Sequence, residues 1–154
     1  MLVSTQFPSL RYMQLAMNVA RQGGLLGELS VGAVLVDHKT AHIVTAYNRT
    51  KHEILAHAEI LCLQKMKIIY TQKQYSEKYF INCDMYVTLE PCPMCAHAMS
   101  LMRVRRIYYG TPSILNVSCK TVLGYNNTAT EVYDEINSTE CHNITHSMFH
   151  LLRP

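Results

Sequence analysis

The stretch Asp84–Gly110 reads DMYVTLEPCPMCAHAMSLMRVRRIYYG. Asp84–Leu89 is rich in β-branched and apolar residues, as a strand requires. Pro91 cannot donate to a central ladder, so the strand stops there. Cys92–Arg103 then reads as a helix with Met99 and Met102 on its core face. Arg106–Tyr109 is a second strand, closed by Gly110. Upstream, Ala56–Tyr70 carries Ile60, Leu61, Leu63, Met66, Ile69 and Tyr70, and reads as a helix. Ser30–Asp37 is a short apolar run suited to a strand buried on both faces. A polar turn, Asp37–Thr40, leads to His42–Tyr47, its expected hairpin partner. Ser9–Arg21 has apolar residues at helical spacing, with Pro8 before it and Gly23-Gly24 after it as punctuation. Downstream, 111–129 has a weak pattern and is expected to be a loop with a short helix. Val132–Ile136 is a candidate fifth strand and Ser138–Leu152 a terminal helix. Strands alternating with helices after an opening hairpin predict an α/β layer sandwich with a mixed sheet.

The chain has 154 residues, the size of one domain. Hydrophobic residues make up 49% and charged residues 16%, which argues against disorder. No apolar run reaches the ~18 residues of a membrane span, so no membrane partner is expected. Met1–Pro8 has no basic segment followed by an apolar stretch, and no signal peptide is expected. Six cysteines and eight histidines are the unusual counts. In a reduced cytoplasmic protein such residues point to a metal rather than to disulfides. A net charge of +3 permits a nucleic-acid partner without requiring one.

Two short motifs carry the chemistry, His57-Ala58-Glu59 and Pro91-Cys92-Pro93-Met94-Cys95. Cysteines three apart at a helix start face one side and can grip one ion. His57, Cys92 and Cys95 make three zinc ligands, and no compelling fourth is present; catalytic zinc keeps one position open for water. Zinc lowers the pKa of that water to about 7. Glu59, two residues from a ligand, can stand beside the ion without binding it and move protons. Each motif opens a predicted helix, whose N-terminal dipole favours thiolate. Alone, C-x-x-C also fits a redox pair and H-x-E a surface coincidence; together, in this order, they are the signature of zinc nucleobase deaminases.

On these residues the sequence resembles the cytidine deaminase-like superfamily and, within it, the bacterial tRNA-specific adenosine deaminases. The likeness runs from about Leu10 to Tyr109, more loosely to the last helix. It rests on Glu28–Val36, Tyr47-Asn48-Arg49, Ala56–Ile60, Tyr86–Cys92 and Met102–Gly110. The resemblance implies a three-layer α-β-α sandwich around a five-stranded mixed sheet. It implies one Zn2+ per subunit on His57, Cys92 and Cys95, with Glu59 as proton shuttle. Asn48 and Ala58 would hold the base, a tRNA anticodon loop would be the partner, and the enzyme would be a homodimer. The expected reaction is hydrolysis of the wobble adenosine to inosine. A deaminase of a free base such as guanine or cytosine, and a silent zinc-binding subunit, are the rival readings. The chain departs from the family at Ser30 (usually Pro), at Glu53-Ile54-Leu55 (commonly Asp-Pro-Thr) and after Gly110. There Thr111–Lys120 replaces the family's Asp, Lys and Gly-Ala pattern.

Arg103, Arg105 and Arg106 form a short basic cluster expected beside the site. Arg103, Arg106 and Phe149 are candidate RNA contacts, against the alternatives of a solvated helix end and of core packing. At least one of Tyr108 and Tyr109 is expected in the core. Glu90, at the rim, is expected to hydrogen-bond near the metal residues. His97 lies roughly 200° around the helix from Cys95 and should point elsewhere. His142, His146 and His150 recur on one helix face and read as solvated. Cys62, Cys83, Cys119 and Cys141 read as small buried residues.

Overall fold

A computed structural model describes residues 8–114, 119–125 and 129–149. Its elements run α1 (Pro8–Leu25), β1 (Gly32–Asp37), β2 (Ile43–Tyr47), α2 (Ala58–Gln72), β3 (Cys83–Leu89), α3 (Pro93–Leu101), β4 (Arg106–Thr111), α4 (Cys119–Tyr125), β5 (Glu131–Tyr133) and α5 (Ser138–Phe149). The five strands form one mixed sheet in the order β2-β1-β3-β4-β5. β1 is antiparallel to both neighbours, whereas β3, β4 and β5 are parallel. Only β1 therefore runs against the rest, and the carboxyl ends of β2, β3 and β4 share one edge of the sheet. In open α/β sheets that edge is where ligands bind.

Alternation along the strands makes two cores, because successive side chains point to opposite faces. Ala33, Leu35, Met85, Val87, Ile107 and Tyr109 face α2, α3 and α4. Val34, Val36 and Tyr86 face α1 and α5, against Met13, Met17 and Cys141. β1 is buried along its whole length, as its unbroken apolar run predicted. The edge strand β2 buries only Val44 and Ala46. On the α1 side, Tyr86, Tyr108 and Tyr133 occupy one register across three strands. Their rings stack at centroid distances of 4.7 and 4.9 Å. Tyr12 tilts onto the end of this ladder at 5.0 Å.

Several boundaries differ from the sequence reading. Gly23 and Gly24 lie inside α1 rather than after it. Gly23 is there for packing: a Cβ at that position would stand 2.8 Å from Tyr47 Cβ. α3 ends at Leu101, and Arg103 has left the helix with φ of 56°. β5 spans Glu131–Tyr133 rather than Val132–Ile136, since Glu135 and Asn137 take positive φ and turn the chain. The short helix expected within 111–129 is α4. Leu152, His150 and the Phe149 side chain lie outside the described residues. Cys62, Cys83, Cys119 and Cys141 are buried, as expected.

Candidate active site

Two helix N-termini meet at the shared sheet edge. α2 follows β2 and α3 follows β3, so both begin where those strands end. His57 is the N-cap of α2 (φ −67°, ψ 150°) and Cys92 the N-cap of α3 (φ −68°, ψ 167°). Their carbonyls accept the first helical bonds, from Leu61 at 3.1 Å and Ala96 at 2.9 Å. Ser, Thr, Asp or Asn would normally sit there and cap the helix with its side chain. Neither His57 nor Cys92 makes a side-chain cap bond, so both side chains are left for other work.

His57, Cys92 and Cys95 place their donor atoms within 4.8 Å of one another, the only such group of three among the described residues. Cys92 Sγ lies 3.6 Å from His57 Nδ1. A tetrahedral zinc with Zn–S near 2.3 Å and Zn–N near 2.0–2.1 Å separates sulfur from nitrogen by about 3.6 Å. The donor set and its spacing thus fit zinc, with Nδ1 as the imidazole donor. The electrostatics agree. Hydrogen bonding from Cys95, then from His57, holds the Cys92 thiol down at about 4. The bond to Cys92, with burial, pushes Cys95 up. Cys92 likewise raises His57.

Glu59 is 4% exposed, and burial pushes its carboxyl up to about 7. Its side chain meets the Cys95 thiol, so it stands against the metal donors without joining them. Ala58, fully buried, opens α2, where the first N–H groups have no helical partner. Asn48 is buried just beyond β2; its N–H donates to Val31 O at 3.0 Å, and its amide Nδ2 donates to Thr50 Oγ1 at 2.8 Å. A cavity of about 200 Å³ joins these groups, lined by Asn48, Thr50, His57, Glu59, Cys92 and Ser113 with Leu29, Val31, Leu89 and Glu90. That is below the ~300–1,000 Å³ of a drug-sized ligand site, and suits one planar base. Thr50, Ser113 and the three aliphatic walls were not singled out in the sequence. Thr50 and Ser113 lie in loops outside the motifs, whereas Leu29, Val31 and Leu89 fall within Glu28–Val36 and Tyr86–Cys92 but carry no polar mark of a site.

The basic cluster is not beside this site. Arg106 pairs in register with Asp84, at the start of β3, while Leu89 at the far end pairs with Thr111. Five residues at about 3.3 Å each separate the two ends by about 16 Å. Arg105 forms a bidentate pair with Asp84 at 2.8 and 2.9 Å, and Arg106 donates to Glu131 at 3.0 Å. Arg103 lies over the Tyr79 ring at 4.3 Å. With His97 and Arg105 it lines a larger groove of about 750 Å³ that contains none of the three metal donors. His97 therefore points away from the site, as expected.

The family described as the cytidine and deoxycytidylate deaminase zinc-binding region matches residues 8–111. The chain belongs to this family. A tRNA-specific adenosine deaminase of Agrobacterium fabrum is 41% identical over 102 residues, which cover 64% of this chain and 62% of that protein. A solved structure from studies of A-to-I editing by tRNA:A34 deaminases superposes with a TM-score of 0.73 at 32% identity, covering 87% of this chain and 98% of that one. Guanine deaminase from Nitrosomonas europaea superposes with a TM-score of 0.73 at 15% identity, over 90% of this chain and 83% of its own, a likeness of fold alone.

Proposed function

We propose that the chain is a zinc-dependent hydrolase that converts the wobble adenosine of a tRNA anticodon loop to inosine. The observation that carries this reading is the buried Glu59 carboxyl set against a His-Cys-Cys donor group in a cavity of base size. His57, Cys92 and Cys95 hold one Zn2+ per subunit. Zinc, when bound, supplies a Lewis acid and a water nucleophile near neutral pH. Glu59, balanced near pH 7 by its burial, accepts a proton from water and passes protons to the purine ring and the leaving amine. Water and adenosine thus become ammonia and inosine. Asn48, its amide fixed by Thr50, hydrogen-bonds the base, and Ala58 offers its backbone to the ring. The A34 deaminase likeness extends over 98% of that solved chain, which favours tRNA over a free base.

The finer parts of the reading follow from this. An anticodon loop is larger than the cavity, and Arg103, Arg106 and Phe149 are proposed to contact its backbone and bases away from the reacting adenosine. The working form is proposed to be a homodimer in the cytoplasm, where Cys92 and Cys95 stay reduced and ready for metal. The test incubates the zinc-loaded protein with a tRNA carrying a wobble adenosine and sequences for inosine. Inosine at that position is expected. Ammonia from free bases without inosine in tRNA would overturn the substrate assignment. Light scattering of the same sample reads the oligomeric state.

A further inference from the structure

Glu90 sits between the end of β3 and the turn that carries Cys92, and is 8% exposed. Its main-chain N–H donates to Thr111 O at 2.8 Å, extending the β3–β4 ladder. Both oxygens of its side chain are used. Oε2 accepts from Ser113 N–H at 3.0 Å, and Oε1 accepts from Cys119 N–H at 3.1 Å. Ser113 follows the end of β4 and Cys119 opens α4. One carboxylate therefore holds the outgoing end of β4 and the start of α4 to the metal-bearing turn. Ser113 and Glu90 line the same cavity as His57, Glu59 and Asn48. This is also where the sequence leaves the family pattern, at Thr111-Pro112-Ser113.

We propose that Glu90 is a positioning residue for the substrate base. It fixes the Ser113 wall of the cavity against the Cys92 turn, and so sets the fit of the base rather than the chemistry at the metal. A buried carboxylate that accepts two main-chain N–H bonds is a strong clamp, since charge-assisted bonds of this kind are about twice as strong as neutral ones. A wall that touches the base equally before and during the reaction contributes uniform binding, so loosening it raises KM and leaves kcat nearly unchanged. This inference rests on the cavity being the base site, as proposed above.

The test compares wild type with Glu90→Gln, which keeps the shape, and Glu90→Asp, which keeps the charge but is too short to reach both amides. Zinc content and melting temperature are read beside the kinetics on tRNA. The expected result for Glu90→Gln is an increase of about tenfold or more in KM, with kcat within about twofold and zinc unchanged. Glu90→Asp should recover part of that loss. A fall in kcat at constant KM, a loss of zinc, or unchanged kinetics would each overturn the proposal. Hydrogen exchange at the Ser113 and Cys119 amides should quicken in Glu90→Gln, and exchange at the wild-type rate would overturn the clamp. That measurement stands without turnover. A wild type that makes no inosine would therefore overturn the substrate reading while the clamp is still judged by exchange.

Discussion

His57 and Cys92 stand at positions where a helix wants a small polar cap. Local stability is given up there, as occurs where sequence rules are broken at working sites, and this fits the metal role proposed for both side chains. The consequence is testable one residue at a time. Glu59→Gln should keep zinc and lose about 10²–10⁴-fold in kcat, by metal analysis and inosine assay, because only the proposed proton carrier is removed. Cys95→Ala should instead lose the metal, seen as a zinc content well below that of wild type, because two remaining donors cannot close a catalytic site. These residues were legible because their spacing is a local property of the chain. The Arg103–Arg106 cluster was misplaced for a related reason. Nearness in sequence to Cys95 does not become nearness in space, because α3 carries the chain away from the site before β4 begins to return. Glu90 was legible as a hydrogen-bonding residue at the rim, but its partners were not, since they are main-chain amides more than twenty residues downstream.

At the scale of elements, α1 lies on β1 with almost no clearance. A Cβ at Gly32 would sit 2.1 Å from Ala16 O and 2.6 Å from Ala20 N, both backbone atoms that cannot swing aside. Gly32→Ala should therefore destabilise the fold by at least the ~1–3 kcal/mol of core overpacking, measured by urea unfolding. The hairpin has its own fastening. Asp37, 1% exposed at the end of β1, accepts from Tyr70 Oη and Thr40 Oγ1, each at 2.7 Å, and from Lys39 N–H at 2.8 Å. Burial works to raise its carboxyl, and these bonds outweigh it, holding Asp37 below 3.8. A depressed carboxyl stabilises the fold above its unfolded value and loses that contribution as pH falls through the folded one. Asp37→Asn should thus cost stability at pH 7, and its unfolding midpoint should depend less on pH below about 4 than that of wild type. The turn after Asp37 was legible from composition, but its tie to α2 through Tyr70 was not. A tyrosine on a helix and an aspartate on a strand carry no mark in the sequence that they will meet.

At the scale of the molecule, the order of strands and helices was legible from periodicity, and the two faces of the sheet from alternation. The convergence of two helix N-termini was not, because it depends on β1 alone running against its neighbours. The tyrosine ladder was equally hidden: Tyr86, Tyr108 and Tyr133 come from three strands, and only the parallel register aligns them. The chain has ten tyrosines and no tryptophan. Its near-ultraviolet absorption and emission therefore belong to phenol rings, uncomplicated by indole. Rings 4.7 and 4.9 Å apart interact electronically and give a dichroic band whose sign and strength depend on their mutual angle. The protein thus carries an unlabelled optical gauge of how β3, β4 and β5 are aligned, set on the face of the sheet away from the metal donors.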